Sequence, residues 1–265
     1  MKIGVLIIHG IGVEVKEFIE EYEQKVRRSF AAMGQNDIEI IPIYYDDILK
    51  SNQHEFEKCI NNSNLQLKGV RTLAMQNFGA ATVFEEDFEA EGSAYQLVME
   101  RVYESLQEME SKMKGEEYKL FVFAHSIGTH IISNYIYDAQ KTEEMGIAKF
   151  WQSRKSSGYE KFEKLSALLT FGCGIPIFIS GMYTIHPIKK PNPNFKWFNY
   201  YDKKDILGYP LKLFTRYGNK IYDKTVEKDI SVHTSWYPSK IHFGYWSKES
   251  ITKRAVKNEL SEYLK

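Results

Sequence analysis

The stretch YKLFVFAHSIGTHIISNYI (118–136) changes from one kind of regular structure to another within a few residues. Its first half is rich in apolar and aromatic residues, which is typical of a strand buried on both faces of a parallel sheet. Beyond Ser126, the apolar residues Ile131, Ile132 and Tyr135 recur at helical spacing. The stretch therefore predicts a strand, a sharp turn at the serine and a helix.

Strand-like and helix-like segments alternate on both sides of this stretch. The other predicted strands lie at 3–8, 38–45, within 164–178, and at 195–202 and 226–233. Helical spacing of apolar residues marks 15–33 and 95–113, and the closing segment 248–265 also has helical character. Such alternation predicts an α/β fold with a mostly parallel central sheet and helices on both faces. Pro42 indicates that the second strand lies at a sheet edge or has a distorted end.

The composition limits the classes of function. A chain of 265 residues, 43% of them hydrophobic, can bury a substantial core, and we expect a single domain over residues 1–265. The 35 basic residues balance 35 acidic residues, so the chain has no overall electrostatic field that attracts nucleic acid or an anionic membrane. This balance does not exclude local patches of basic residues. We therefore expect no nucleic-acid partner, and the sequence does not set the oligomeric state.

Signals for export or membrane insertion are weak in this sequence. The apolar run at the N-terminus is short and has no small-residue cleavage site. No segment approaches the ~20 apolar residues that span a bilayer. We expect a soluble, cytoplasmic protein without a transmembrane segment. Cys59 and Cys173 are too far apart to indicate a disulfide framework or a metal site, and are predicted to be free thiols.

The periodic pattern weakens between residues 46 and 92, where polar loop sequence mixes with apolar pieces. One interpretation is a lid or cap inserted into the domain. The other is one or two additional helices packed on the sheet edge. The sequence leaves both open.

The turn at the serine reads Ala124-His125-Ser126-Ile127-Gly128, a variant of the G-x-S-x-G nucleophile elbow. Small residues are needed at both ends because a bulky side chain there collides with the neighbouring backbone of a strained turn. The position between a strand and a helix favours a nucleophilic serine over an ordinary helix N-cap.

A nucleophile of this kind needs backbone N–H groups for the oxyanion that develops on the attacked carbonyl. The segment His9-Gly10-Ile11-Gly12 ends the first strand and opens the first helix, so N–H groups near Ile11 can point at an anion with the helix dipole behind them. Ile127, directly after the serine, supplies the second donor. We therefore predict Ile11 and Ile127 as the oxyanion hole.

Other kinds of site find little support. A dinucleotide fingerprint starting at Gly10 would need glycine at position 15, where Val15 stands, and no P-loop pattern occurs. Metal catalysis lacks an H-E-x-x-H or comparable cluster. Cys173 lies near another strand end and is a reserve nucleophile, although a buried thiol is the simpler interpretation. We expect no cofactor and no metal.

These motifs resemble the α/β-hydrolase superfamily, in particular its lipase and esterase-like members, which carry an H-G dipeptide after an early strand. The resemblance implies an α/β-hydrolase fold and a triad in the order serine, acid, histidine. The segment DKKDILGYPL is similar to the family's acid loop, which implies Asp205, with Asp202 in reserve.

The late histidines are His233 and His242, and SKIHFGYW around His242 resembles the family's terminal histidine followed by aromatic residues. His242 is therefore the predicted base and His233 the reserve. His125 and His130 lie too close to the serine along the chain for that role, and are expected to be packing or entrance residues.

The resemblance implies a serine hydrolase whose small-molecule substrates are carboxylic esters, with lipid or acyl esters as candidates. The same triad serves thioesterases and acyltransferases. A catalytically silent scaffold that binds a small molecule or a protein partner is the rival from another class. The apolar segment 70–88 is the candidate acyl pocket.

Overall fold

Parallel strands form the central layer of the computed structural model, which describes residues 2–10, 15–69, 71–72, 74–75, 79, 92–141, 146–154 and 157–265. The strands are β1 Lys2–Ile8, β2 Ile38–Ile43, β3 Tyr118–His125, β4 Leu165–Phe171, β5 Lys196–Tyr201, β6 Thr215–Arg216, β7 Asn219–Lys220 and β8 Val226–Ser231. Six of them form one sheet in the order β2-β1-β3-β4-β5-β8, in which all neighbouring strands are parallel. β6 and β7 form a separate antiparallel hairpin.

Helices surround this sheet. They are α1 Val15–Ala31, α2 Asp46–Asn62, α3 Ala94–Met113, α4 Ile127–Ala139, α5 Lys149–Gln152, α6 Ile175–Ile179, α7 Pro238–Ile241, α8 Gly244–Ser247 and α9 Glu249–Arg254, which continues as a π-helical turn over Ala255–Glu259. The predicted α/β class and the mostly parallel sheet are confirmed. The edge position of β2 agrees with the indication from Pro42.

The core has two parts, one on each face of the sheet, because side chains alternate along a strand. Ile3, Val5 and Ile7 of β1 pack with α1 and with the C-terminal helical segment. Leu6 and Ile8 point to the other face, which α3 and α4 cover. Helices therefore lie on both faces, and the strands are buried between them.

Strand order reverses between β1 and β3, and this reversal creates a crevice. The helix that follows β1 packs on one face, while the helix that follows β3 packs on the other. Ile8 pairs with Ala124, so β1 and β3 end side by side at the carboxyl edge of the sheet. In open α/β sheets, ligands bind outside the carboxyl ends of strands at such a switch point. His9, Gly10 and Ser126 emerge there.

The segment 46–92 begins with α2, which contacts α3 and buries Leu49 in the core. Its first 17 residues are therefore an additional helix. Much of the rest of this segment lies outside the described residues, so the lid or cap stays a prediction. None of the helices within the described ranges combines the length and the apolar character that crossing a bilayer requires.

Trp246 provides a test of this packing. Its side chain is fully buried and stacks on Tyr22 of α1, with ring centroids 4.1 Å apart and planes inclined by 5°. Trp246→Ala should lower the free energy of unfolding by about 3–5 kcal/mol, because it leaves a cavity between α1 and α8.

Trp236 is the matched control, since its side chain is 76% exposed. Trp236→Ala should change the free energy of unfolding by no more than about 0.5 kcal/mol. Guanidinium unfolding followed by circular dichroism measures both variants. Equal losses in the two variants would contradict the packing described above.

Candidate active site

Ser126 occupies a strained turn between β3 and α4. Its φ is 54° and its ψ is −126°, a left-handed region that side-chain-bearing residues seldom adopt. The N–H of Ser126 donates to the carbonyl oxygen of Phe171 at 2.9 Å. Its own carbonyl accepts from the N–H and the hydroxyl of Thr129, at 3.0 and 2.6 Å. These hydrogen bonds hold the turn and place the serine at the carboxyl edge of the sheet.

Close contact between the end of β1 and the serine turn explains the glycines at positions 10 and 128. A Cβ atom at Gly128 would lie 2.5 Å from the carbonyl oxygen of His9 and 2.8 Å from that of Ile8. A Cβ atom at Gly10 would lie 2.6 Å from the Cβ of Ser126. The end of β1 and the serine turn therefore touch through backbone atoms, with no room for a side chain between them.

Three of the predicted side chains form a continuous hydrogen-bonded chain. Nε2 of His242 lies 2.7 Å from Oγ of Ser126. Nδ1 of His242 lies 2.9 Å from Oδ2 and 3.1 Å from Oδ1 of Asp205. Since a carboxylate accepts, Nδ1 carries the proton and Nε2 is left to accept the serine hydroxyl. All three side chains are buried, and they come from loops after β3, β5 and β8.

Asp205 is held by donors from several directions. The N–H of Leu207 donates to Oδ1 at 3.0 Å, and the hydroxyl of Tyr245 donates to Oδ2 at 2.9 Å. Burial acts to raise the pKa of this carboxyl, but the hydrogen bond and charge of His242, together with these donors, outweigh it and hold the pKa below its ordinary value. Asp205 is therefore an anion directed at the imidazole.

The reserve residues lie together, away from the serine. Oδ2 of Asp202 accepts from the N–H and the hydroxyl of Thr234, at 2.6 and 2.9 Å, and Oδ1 accepts from the N–H of Lys204 at 3.0 Å. Nδ1 of His233 lies 3.7 Å from Oδ2 of Asp202. Asp202 thus anchors the loop after β8. Of the two candidate acids and the two candidate histidines, Asp205 and His242 are the ones that join Ser126 in the hydrogen-bonded chain.

His125, directly before the serine, contacts the base through the backbone. Its Nε2 donates to the carbonyl oxygen of His242 at 2.8 Å. Burial, and the neighbouring charge of His242, lower the pKa of His125 to about 3. A neutral imidazole therefore fixes the loop that carries His242. His130 is also buried, packs on Phe178 and has its pKa lowered by burial to about 4, as suits a packing residue.

Sequence reasoning missed three residues of this site. The hydroxyl of Tyr245 accepts from the N–H of Asp202 at 2.7 Å while it donates to Asp205. Gly172 has a φ of 61°, and a Cβ atom there would lie 3.1 Å from Cε1 of His242. At Gly208 a Cβ atom would collide with the Asp205 carboxylate. Their positions in the sequence could have pointed to them. Tyr245 stands three residues after His242, Gly172 directly follows β4, and Gly208 stands three residues after Asp205.

The other predicted site residues are the two oxyanion donors and the reserve nucleophile Cys173. Ile127 opens α4, where N–H groups have no acceptor within the helix and the helix dipole is positive. Ile11 lies outside the described residues. Burial raises the pKa of the Cys173 thiol to about 12, so this cysteine is a protonated core residue at neutral pH. In the described ranges, no three His, Cys, Asp or Glu side chains come together in a way that could hold a metal ion.

No family model matches this sequence, and no curated protein matches it significantly. The chemistry of the site therefore rests on its geometry. A strained serine, a base that accepts its proton and an anion behind the base form a set that activates a hydroxyl for attack on an electrophilic carbon.

Gly128→Ala tests the contact between β1 and the turn. The colliding atoms are backbone carbonyls, which no side-chain rotation can move, so the free energy of unfolding should fall by about 1–3 kcal/mol. Gly181→Ala is the control, because a Cβ atom there meets nothing within 4 Å. Denaturant unfolding measures both variants. Equal stability of the two would rule out the tight contact.

The burial of His125 predicts a pH dependence of stability. The unfolded imidazole takes up a proton near its ordinary pKa of 6.5, whereas the folded one stays neutral down to a pKa of about 3. The folded-state pKa is depressed, so this contribution to stability is present above pH ~6.5 and declines as the pH falls. Lowering the pH from ~6.5 to ~5 should cost about 1.5 kcal/mol from this group.

His125→Gln keeps a donor for the His242 carbonyl and removes the titration. The variant should therefore lose less stability than the wild type between the two pH values in denaturant unfolding. His54→Gln, at an exposed position on α2, is the matched control. An unaltered slope in the His125 variant would contradict the neutral, buried imidazole.

Proposed function

We propose that this protein is a serine hydrolase of the α/β-hydrolase type, which cleaves carboxylic esters through an acyl-enzyme intermediate. The observation that carries the proposal is the chain of hydrogen bonds from Ser126 through His242 to Asp205, with distances of 2.7 and 2.9 Å. Nucleophile, base and orienting acid within hydrogen-bonding reach are the geometric requirement for this chemistry.

The strand order supports the proposal independently of the distances. The nucleophile follows β3, the acid follows β5 and the histidine follows β8, which gives the chain order serine, acid, histidine of α/β-hydrolases. The His9-Gly10 dipeptide follows β1, beside β3, where the family takes one of its oxyanion donors from an early loop.

The reaction follows from the roles of these groups. Nε2 of His242 takes the hydroxyl proton of Ser126, whose oxygen bonds to the acyl carbon while the carbonyl electron pair moves onto its oxygen. The N–H of Ile127, at the start of α4, hydrogen-bonds to that oxyanion, and the predicted second donor is the N–H of Ile11, which lies outside the described residues. The intermediate collapses and expels the alcohol, which takes the proton from His242. Water, deprotonated by His242, then attacks the acyl-serine; the bond to Ser126 breaks, the serine oxygen takes the proton back from His242, and the acid is released.

Asp205 and His125 support the base in different ways. Asp205 stabilises the imidazolium that forms when His242 takes the proton, and it fixes the tautomer that leaves Nε2 free to accept. His125 holds the main chain of His242 and carries no charge that would repel the imidazolium. His242 carries every proton between Ser126, the leaving alcohol and water, so the proposed reaction needs water and no cofactor.

The strain at Ser126 argues against a silent scaffold. A non-glycine residue in a sparsely populated backbone region costs about 1–3 kcal/mol, and such strain concentrates at functional sites. A protein that used this surface for binding alone would gain nothing from a strained serine aligned with a base. The candidate acyl pocket, 70–88, lies largely outside the described residues and stays a prediction.

Matched substitutions test the triad. Ser126→Ala, His242→Gln and Asp205→Asn should each lower kcat for p-nitrophenyl esters by ~10³-fold or more, because each removes a member of one catalytic unit. Asp202→Asn and His233→Gln should keep most of the turnover, since neither side chain belongs to the hydrogen-bonded chain of Ser126, His242 and Asp205. Labelling by a fluorophosphonate probe should be lost in Ser126→Ala, and esters of increasing acyl length should define the size of the acyl pocket.

Three other outcomes would revise the proposal. A folded wild type that neither reacts with the probe nor turns over esters would favour the silent scaffold. Turnover confined to thioesters, or transfer to an acceptor other than water, would keep the triad and change the reaction. Loss of activity in Asp202→Asn with full activity in Asp205→Asn would assign the acid to the reserve residue.

A further inference from the structure

The loops that carry Asp205 and His242 expose apolar and basic side chains next to one another. We call this surface the aromatic-basic rim. Its apolar members are Ile206, Trp236 and Tyr237, which are 77%, 76% and 70% exposed, and its basic members are the exposed Lys203, Lys204 and Lys240. Large apolar side chains that stay this exposed bury little of their surface in the folded chain, so most of it is available to a partner.

Contacts join the two loops into one surface. Nζ of Lys204 lies 4.6 Å from the ring centroid of Trp236, across from one loop to the other. The ring of His233 lies 4.4 Å from the same tryptophan. The carbonyl of Tyr237 accepts from the N–H of Lys240 at 2.9 Å, so the basic and aromatic members of the second loop are also adjacent.

The charge of the rim differs from that of the whole chain. Lys203, Lys204 and Lys240 are its exposed charged side chains, while the acids of the same loops, Asp202 and Asp205, are buried and satisfied by hydrogen bonds. A chain with a formal net charge of +0 thus has a positive surface beside the triad. Such a surface attracts an anionic partner.

The apolar members indicate which anionic partner fits. Tryptophan and tyrosine favour the boundary between lipid headgroups and acyl chains, and lysines near an anionic bilayer contribute about 1 kcal/mol each. Nucleic acid instead takes stacking side chains within a groove that tracks its backbone. Here the side chains are more than two-thirds exposed, and Ile206 has no ring on which a base could stack.

We propose that the aromatic-basic rim docks on an anionic lipid surface. Ile206 directly follows Asp205, and α7 joins Tyr237 to His242. Docking of the rim therefore places the triad close to the lipid surface. The docking does not require catalysis. The corollary, that the lipid surface presents acyl esters to Ser126, rests on the proposed function.

Vesicle binding by Ser126→Ala tests the docking without hydrolysis. The protein is mixed with vesicles of phosphatidylcholine alone and of phosphatidylcholine with phosphatidylglycerol, and binding is measured by sedimentation. Trp151, Trp197 and Trp246 are buried, so the solvent-exposed component of the fluorescence reports Trp236. We expect sedimentation and a blue shift with the anionic vesicles, together with quenching by brominated acyl chains.

Rim variants locate the binding surface. In the Ser126→Ala background, Lys203→Gln with Lys204→Gln should weaken partitioning into anionic vesicles about 30-fold, as expected from two lysines. Trp236→Ala with Tyr237→Ala should also weaken it. The control is Tyr217→Ala with Lys220→Gln on the β6–β7 hairpin, where the tyrosine is 81% exposed, and it should bind as the parent does.

Two results would overturn the proposal. One is a folded Ser126→Ala protein that leaves anionic vesicles unbound, or whose rim variants bind as tightly as the hairpin control. The other is binding to a soluble acidic polypeptide or an oligonucleotide that the rim variants lose while vesicles stay unbound. If Ser126→Ala binds the vesicles but the wild type hydrolyses no ester, the docking proposal stands and the proposed function is rejected.

Discussion

The contact between the end of β1 and the turn after β3 determines the position of Ser126. Gly128 lies against the carbonyl oxygens of Ile8 and His9, and Gly10 lies against the serine itself. The end of β1 is fixed in turn by Tyr45, whose hydroxyl donates to the carbonyl of His9 at 2.6 Å and whose ring stacks on the His9 ring at 4.3 Å. The end of β1 and the turn after β3 thus meet through close contacts at two glycines, and the Tyr45 side chain holds the end of β1 in place. A nucleophile held in this way is already positioned for attack.

The electrostatic arrangement complements this rigid turn. In a buried site, charge interactions are stronger than in water, and an unpaired charge is costly. Asp205 is paired with His242 and receives two further donors, while His125 stays neutral against the carbonyl of His242. The Tyr245 hydroxyl accepts from the N–H of Asp202 and donates to the Asp205 carboxylate, so it links the start of the acid loop to the acid itself. The anionic Asp205 therefore lies where a positive imidazolium develops when the serine is deprotonated.

The fold class could be predicted from sequence because buried parallel strands are continuous apolar runs. The strand ranges predicted at 3–8, 38–45, 195–202 and 226–233 differ from the observed ones by two residues or fewer. The strand predicted within 164–178 ends at Phe171, and Ile175–Ile179 form α6 instead. Ser126 was predicted from its place between a strand and a helix, and Asp205 and His242 from a resemblance to α/β-hydrolase motifs; the structure brings the three side chains together. The bond from His125 to the His242 carbonyl spans 117 residues and has no local signal. The hydrogen bonds of Tyr245 to Asp202 and Asp205 likewise form only because the segment after β8 meets the loop after β5. Ile11 and the acyl pocket stay predictions, because they fall on residues outside the described ranges.

The most direct test of the account is to trap the acyl-enzyme. Wild-type protein mixed with a p-nitrophenyl ester and quenched with acid before the steady state should gain the mass of one acyl group, on the peptide that contains Ser126. The adduct should disappear as the ester is consumed and should not form in His242→Gln. Turnover without an adduct on Ser126, or an adduct on the exposed thiol of Cys59 instead, would contradict the proposal that Ser126 is the nucleophile.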